Sequence, residues 1–115
     1  MQTVVETSVY LRKAEKLNIS EEEREEVISF LAENPNAGDE ISGTGGARKL
    51  RFAPSGRGKS GGYRIVTFYS GTDIPVFLMT VYGKGQKANL TPKERNALKS
   101  VLGRVVELYK GIKNV

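Results

Sequence analysis

Three runs of strand-like residues between positions 47 and 83 constrain the fold more than any other feature of this chain. They cover residues 47–53, 62–70 and 74–83, and the GTD sequence at 71–73 is typical of a hairpin turn. The third run, IPVFLMTVY, is apolar at successive positions, so both of its faces need cover. We therefore expect it to be a central strand of a sheet that is covered on both sides.

The first third of the chain predicts a short strand followed by two helices. Residues 3–6 can form the strand, and a loosely spaced apolar set suggests a short helix after it: Val9, Leu11, Ala14 and Leu17. Ser20 and Glu23 form a capping box, which satisfies backbone N–H groups at a helix start. That second helix should end before Asn34-Pro35, because the position before a proline disfavours helical geometry. Residues 35–46 are loop-like in composition.

A final helix is predicted from Thr91 onward. Thr91 and Glu94 form a second capping box, with Pro92 at the first helical position. Apolar residues then recur at helical spacing and are expected to pack into the core: Leu98, Val101, Leu102, Val105, Leu108, Tyr109 and Ile112. Helices and strands segregated along the chain in this way predict an α+β domain built on an antiparallel sheet.

The composition excludes several kinds of catalytic site. A chain of 115 residues is expected to form one domain, residues 1–115. It contains no cysteine and no histidine, which removes thiolate nucleophiles, zinc–thiolate sites and imidazole catalysis. The N-terminal segment lacks signal-peptide features and the longest apolar run is too short for a bilayer. We therefore expect a cytoplasmic location without membrane association.

Positive charge is concentrated in the second part of the chain. Residues 1–46 carry a net charge of −6, whereas residues 47–115 carry +11. No acidic residue occurs between Glu40 and Asp73, yet six cations do: Arg48, Lys49, Arg51, Arg57, Lys59 and Arg64. With no carboxylate expected nearby, nucleic-acid binding is the first hypothesis and phosphodiester chemistry the second. The alternative is that these basic residues belong to an ordinary solvated surface without a ligand.

Side-chain alternation along the first run sorts these cations. In a strand, Lys49 and Arg51 share one face while Leu50 and Phe52 share the other. The apolar pair can then pack into the core while both cations face solvent. Arg64 lies near the start of the neighbouring strand, where it can join them.

Further polar residues follow the third run. Tyr82 lies at its end, and Lys84 and Lys87 come after it. We expect these side chains to converge with the strand cations on one open side of the sheet. Two plainer interpretations stay open: exposed loop lysines, and an amphipathic tyrosine at the edge of the core.

A cationic patch of this kind suits RNA cleavage. The 2′-hydroxyl can attack the adjacent phosphate, so the substrate supplies its own nucleophile, and we expect neither metal nor cofactor. Fixed cations would stabilise the charge of the transition state. A lysine among other cations could act as the base, and arginine suits bidentate phosphate binding. Arg48, Arg57 and Lys59 are expected to contact RNA.

Three stretches closely resemble the RelE/HigB toxins of bacterial type II toxin–antitoxin systems. They are GTGGARKLRFA (43–53), GRGKSGGYRIVTFYS (56–70) and IPVFLMTVYGKGQKANLTPKERNALK (74–99). The resemblance is nearest to the HigB-like branch. It implies a RelE-like α+β fold, with an antiparallel β-sheet of about four strands, two N-terminal helices and one C-terminal helix.

The same resemblance implies a ribosome-dependent mRNA endonuclease that cleaves translated message in the A site of the 30S subunit. The implied partner is a HigA-like helix-turn-helix antitoxin, whose complex with the toxin would bind operator DNA. Family motifs carry over onto Lys49, Arg51, Arg64, Lys84 and Lys87. Where the archetypal RelE has a catalytic tyrosine, this chain reads ANLTPKE, so Tyr82 or a lysine is the candidate base.

Two other functions stay open. A ParE-like inhibitor of DNA gyrase would share the fold, although Lys49 and Arg51 are better suited to phosphate contact in a cleavage site. A non-catalytic module that binds RNA or the ribosome would use interleaved aromatic residues. Its candidates are Phe52, Tyr63 and Tyr69, which can equally belong to the core.

Overall fold

The computed structural model describes residues 1–53, 62–71, 73–83 and 90–113, with side chains as far as residue 108. Its elements are β1 (Val4–Glu6), α1 (Ser8–Lys16), α2 (Glu21–Glu33), β2 (Asp39–Glu40), β3 (Ala47–Phe52), β4 (Tyr63–Phe68), β5 (Val76–Tyr82) and α3 (Pro92–Lys113). The α+β class and the helices on either side of the strand-rich segment are confirmed. None of the helices within the described residues is long and apolar enough to span a membrane.

The strands form one five-stranded sheet in the order β1-β5-β4-β3-β2. β1 runs parallel to β5, whereas the other neighbours are antiparallel. The sheet is therefore mixed, not purely antiparallel, and has one strand more than expected. The additional strand is β2, a two-residue segment in the stretch predicted as loop, and two charged residues give no apolar alternation to indicate it.

Helices cover both faces of this sheet. On one face, α1 and α2 pack over a core that contains Tyr10, Ala14, Val27, Leu31, Leu50, Ile65, Val76, Leu78 and Val81. On the other face, α3 packs around Ala47, Val66, Phe68, Phe77 and Leu102. Because β5 contributes to both clusters and lies between β1 and β4, its prediction as a central strand is confirmed.

Both predicted capping boxes are present and fix where the helices begin. Ser20 N–H donates to the Glu23 carboxylate at 2.9 Å, and Glu23 N–H donates to Ser20 Oγ at 3.1 Å. Thr91 and Glu94 make the same reciprocal pair at the start of α3, at 2.9 and 3.2 Å. Each pair satisfies backbone N–H groups that have no partner within the helix itself.

Two residues of α3 that were predicted to be core are exposed. Val101 is 45% and Leu108 is 66% exposed. Leu98, Leu102 and Val105 face the sheet as predicted, and Val106 joins them. The side chains of Tyr109 and Ile112 lie outside the described residues. The helix is apolar over more than one stripe, and helical periodicity alone does not tell which stripe packs on the sheet.

Candidate functional site

The register of three strands places three candidate residues in one row across the sheet. Arg51 lies opposite Arg64 on β4, and Arg64 lies opposite Tyr82 on β5. Directly opposed residues of antiparallel strands point to the same face, with Cβ atoms about 5 Å apart. Arg51, Arg64 and Tyr82 therefore project together.

Lys49 lies on the same face, two positions before Arg51 on β3 and opposite Val66. Leu50 packs in the core of the opposite face, and Phe52 packs against that core. The predicted division of β3 into a cationic face and an apolar face is therefore confirmed. The cations and Tyr82 lie on the side of the sheet that α3 covers only in part, where Arg51 is exposed.

A cavity of about 270 Å³ opens between this face and the N-terminal end of α3. Its walls come from β2 and the residues after it, the sheet, and the start of α3: Asp39, Glu40, Ile41, Ser42, Lys49, Val66, Tyr82, Leu90 and Arg95. Lys49 and Tyr82 thus border the same cavity. Arg95 is a lining residue that the sequence patterns did not indicate.

The structure corrects the expectation that no carboxylate lies near the basic cluster. β2 pairs with β3 so that Asp39 is opposite Lys49 and Glu40 is opposite Arg48. Opposite charges in such cross-strand positions attract each other. Acidic residues from outside the interval 41–72 therefore lie beside the basic residues in the folded protein. The net positive charge of the site is smaller than the sequence suggests.

The sequence also matches one known protein family over nearly its whole length. Residues 2–111 match the family model described as "RelE toxin of RelE / RelB toxin-antitoxin system". The chain belongs to the RelE toxin family. It is a RelE-like type II toxin, and the family implies a cognate antitoxin as its partner.

In this RelE-family toxin, the ring of Tyr82 is covered on one side by a cation from α1. Lys13 Nζ lies 4.3 Å from the ring centroid, within cation–π range. The contact is possible because β1 ends at Glu6, opposite Leu78, so that β1 does not pair with β5 beyond that point. Thr7 then caps α1 and donates from Oγ1 to Leu78 O at 2.7 Å, which holds α1 beside β5.

The remaining predicted site residues do not share this face or lie outside the described residues. Arg48 alternates with Lys49 along β3 and therefore points to the other side of the sheet, where its guanidinium donates to Gly38 O at 3.1 Å. Any contact of Arg48 with RNA would involve that side. Four other predicted residues lie outside the described residues: Arg57, Lys59, Lys84 and Lys87.

Proposed function

We propose that this RelE-family toxin is a metal-independent endoribonuclease that cleaves translated mRNA in the ribosomal A site and so arrests translation. The observation that carries the proposal is the row formed by Arg51, Arg64 and Tyr82, with Lys49 beside it on the same face. Two guanidinium groups and an ammonium group on rigid strands can hold a phosphodiester without rearrangement. Preorganised donors of this kind stabilise the charge that develops at phosphorus.

The proposed reaction uses the substrate's own nucleophile. The ribose 2′-oxygen attacks the adjacent phosphorus and the bond to the 5′-oxygen breaks. The 5′-oxygen takes up a proton from water, so that a 2′,3′-cyclic phosphate and a 5′-hydroxyl result. Arg51 and Arg64 would bind the non-bridging oxygens, for which the planar guanidinium is suited. Tyr82 or a lysine would accept the 2′-hydroxyl proton, and Lys84 and Lys87 stay candidates for this role or for transition-state contacts.

The proposed partners follow from the same assignment. The ribosome would supply the mRNA in a fixed conformation, which would place the protein in the cytoplasm. A HigA-like helix-turn-helix antitoxin would neutralise the toxin, and the complex would bind operator DNA. The neighbouring reading frame should then encode a small protein of that type.

The decisive test is controlled expression in a bacterium, followed by primer extension on an abundant message. Wild-type protein should arrest growth and produce cleavages within translated codons. Arg64→Ala should abolish both effects, whereas Arg104→Ala, which removes an exposed cation far along α3, should not. Purified protein should cut the same message with ribosomes and leave it intact without them.

The same experiment distinguishes the two other candidate functions. Intact message together with DNA damage would identify a gyrase inhibitor. RNA binding without cleavage would identify a non-catalytic module. The aromatic residues expected for such a module have structural contacts: Tyr63 is buried, Phe52 packs on Phe30 with ring centroids 5.7 Å apart, and Tyr69 Oη accepts from Gln2 at 3.0 Å.

A further inference from the structure

Arg95 lines the cavity and is held in place by the start of α3. The reciprocal bonds between Thr91 and Glu94 fix the first helical turn, and Arg95 N–H donates to Thr91 O at 2.9 Å. The side chain turns back toward the helix start, where Nε–H donates to Leu90 O at 3.2 Å. This bond uses one of the five guanidinium donors and sets the plane of the group.

The GTGG loop, residues 43–46, packs against the same side of α3. A Cβ placed on Gly43 would lie 3.8 Å from Arg95 Cδ, and one placed on Gly45 would lie 3.6 Å from Lys99 Cγ. Both glycines have positive φ, +79° and +78°, so the loop takes a path that other residues rarely adopt. The stem of Arg95 is therefore supported by the loop on one side and by its own helix on the other.

Arg95 and Lys49 reach the cavity from different elements, the helix and the sheet, and Tyr82 lines the same cavity. Asp39 and Glu40 also line it, but no ion pair joins either acid to Arg95 within the described part of the chain. A guanidinium held in place by a backbone carbonyl and a lysine that borders the same cavity form an arrangement that suits a phosphate group.

We propose that Arg95 binds a backbone phosphate of the RNA from the α3 side. The RNA would then pass between the cations of the sheet and the start of α3. This inference rests on the proposed function and names a substrate contact for the same site. It also gives the GTGG loop a physical role, because the loop lies beside the stem of Arg95 and limits where that stem can move.

The first test is steady-state cleavage of a short message by purified protein with programmed ribosomes. Arg95→Ala should lower kcat/KM by roughly ten- to hundredfold, the usual effect of losing one hydrogen bond to a charged group. The loss should appear mainly as a rise in KM, with a smaller change in kcat. Arg95→Lys should recover part of it, and Arg104→Ala on the same helix should behave as wild type. Thermal unfolding of each variant checks the fold, and Arg95→Lys carries the test if Arg95→Ala does not fold.

A second measurement separates this inference from the proposed reaction. A 2′-O-methyl RNA oligonucleotide cannot be cleaved, so its affinity reports binding alone. For each phosphate contact to single-stranded RNA, the slope of log affinity against log salt changes by about 0.7, so Arg95→Ala should reduce its magnitude by that amount. A reduced slope with no cleavage by wild type would refute the proposed reaction and leave the Arg95 contact standing. Unchanged KM and unchanged slope would refute the contact.

Discussion

Arg51 and Arg64 lie directly opposite each other on β3 and β4. Like charges in such a cross-strand position oppose folding by about 0.2–1 kcal/mol, whereas opposite charges favour it. The strand pair therefore carries an unfavourable interaction at the place where the proposed reaction needs two cations. Such a pair costs stability but concentrates positive charge on one face, which is the arrangement that the proposed reaction requires.

The first prediction is that Arg64→Thr separates stability from activity. Threonine suits a strand and removes the repulsion, so the free energy of unfolding should stay level or rise by up to about 1 kcal/mol. Cleavage should fall by about 10²–10³, the usual effect of removing one preorganised donor. Urea unfolding and ribosome-dependent cleavage measure the two quantities. A variant that loses stability and activity together would indicate that Arg64 has a structural role.

The second prediction concerns the contact between Lys13 and Tyr82. Lys13→Met keeps most of the apolar stem but removes the charge above the ring, so cleavage should fall by about fivefold, within the energy of a cation–π contact. Lys13→Arg should keep most of the activity. In a double-mutant cycle, Lys13→Met should cause little further loss of cleavage when it is added to Tyr82→Leu. Full additivity of the two changes would show that Lys13 does not act through Tyr82.

Local patterns were sufficient for the parts of the site that lie within a single strand. The period of two along β3 predicted that Lys49 and Arg51 share a face, and the apolar run of β5 predicted a central strand. Arg64 was correctly placed on the next strand. Each of these inferences depends on a repeat that can be counted within a few residues.

Contacts between residues of elements far apart in the sequence could not be predicted from such local repeats. β2 has two charged residues and no periodicity, so the pairing of Asp39 with Lys49 follows only from the folded sheet. The contact between Lys13 and Tyr82 requires α1 to lie beside β5, and nothing in the sequence around Lys13 indicates it. Arg95 follows Thr91 by one helical turn, but that spacing does not indicate a site residue, because its place in the cavity depends on how α3 packs.

The third prediction compares two glycines with opposite roles. Gly38 has φ +97°, and a Cβ there would lie 2.8 Å from Lys49 O, a backbone atom that cannot move aside easily. Gly38→Ala should therefore lower the free energy of unfolding by about 2 kcal/mol and weaken the pairing of β2 with β3. Gly103 lies within α3, and among the described residues nothing lies within 4 Å of its Cβ position, so Gly103→Ala should raise stability by about 0.5–1 kcal/mol. Urea unfolding of both variants measures the two changes in the free energy of unfolding. Equal changes in the two variants would contradict the prediction.

The fourth prediction is a loss of stability at high pH that Tyr10 causes. Its side chain is only 1% exposed, and burial, with a smaller contribution from the Glu6 carboxylate, raises its pKa from 10.0 to about 12, although Arg24 acts in the opposite direction. Between these two values the unfolded chain has lost the phenolic proton while the folded protein retains it, so stability falls as pH rises through this window. The full shift corresponds to roughly 3 kcal/mol. Tyr10→Phe cannot ionise, so the difference in unfolding free energy between wild type and this variant should change by about 2 kcal/mol from pH 9 to pH 12, where the folded side chain is itself half ionised. Parallel curves for the two proteins would show that the Tyr10 hydroxyl does not contribute.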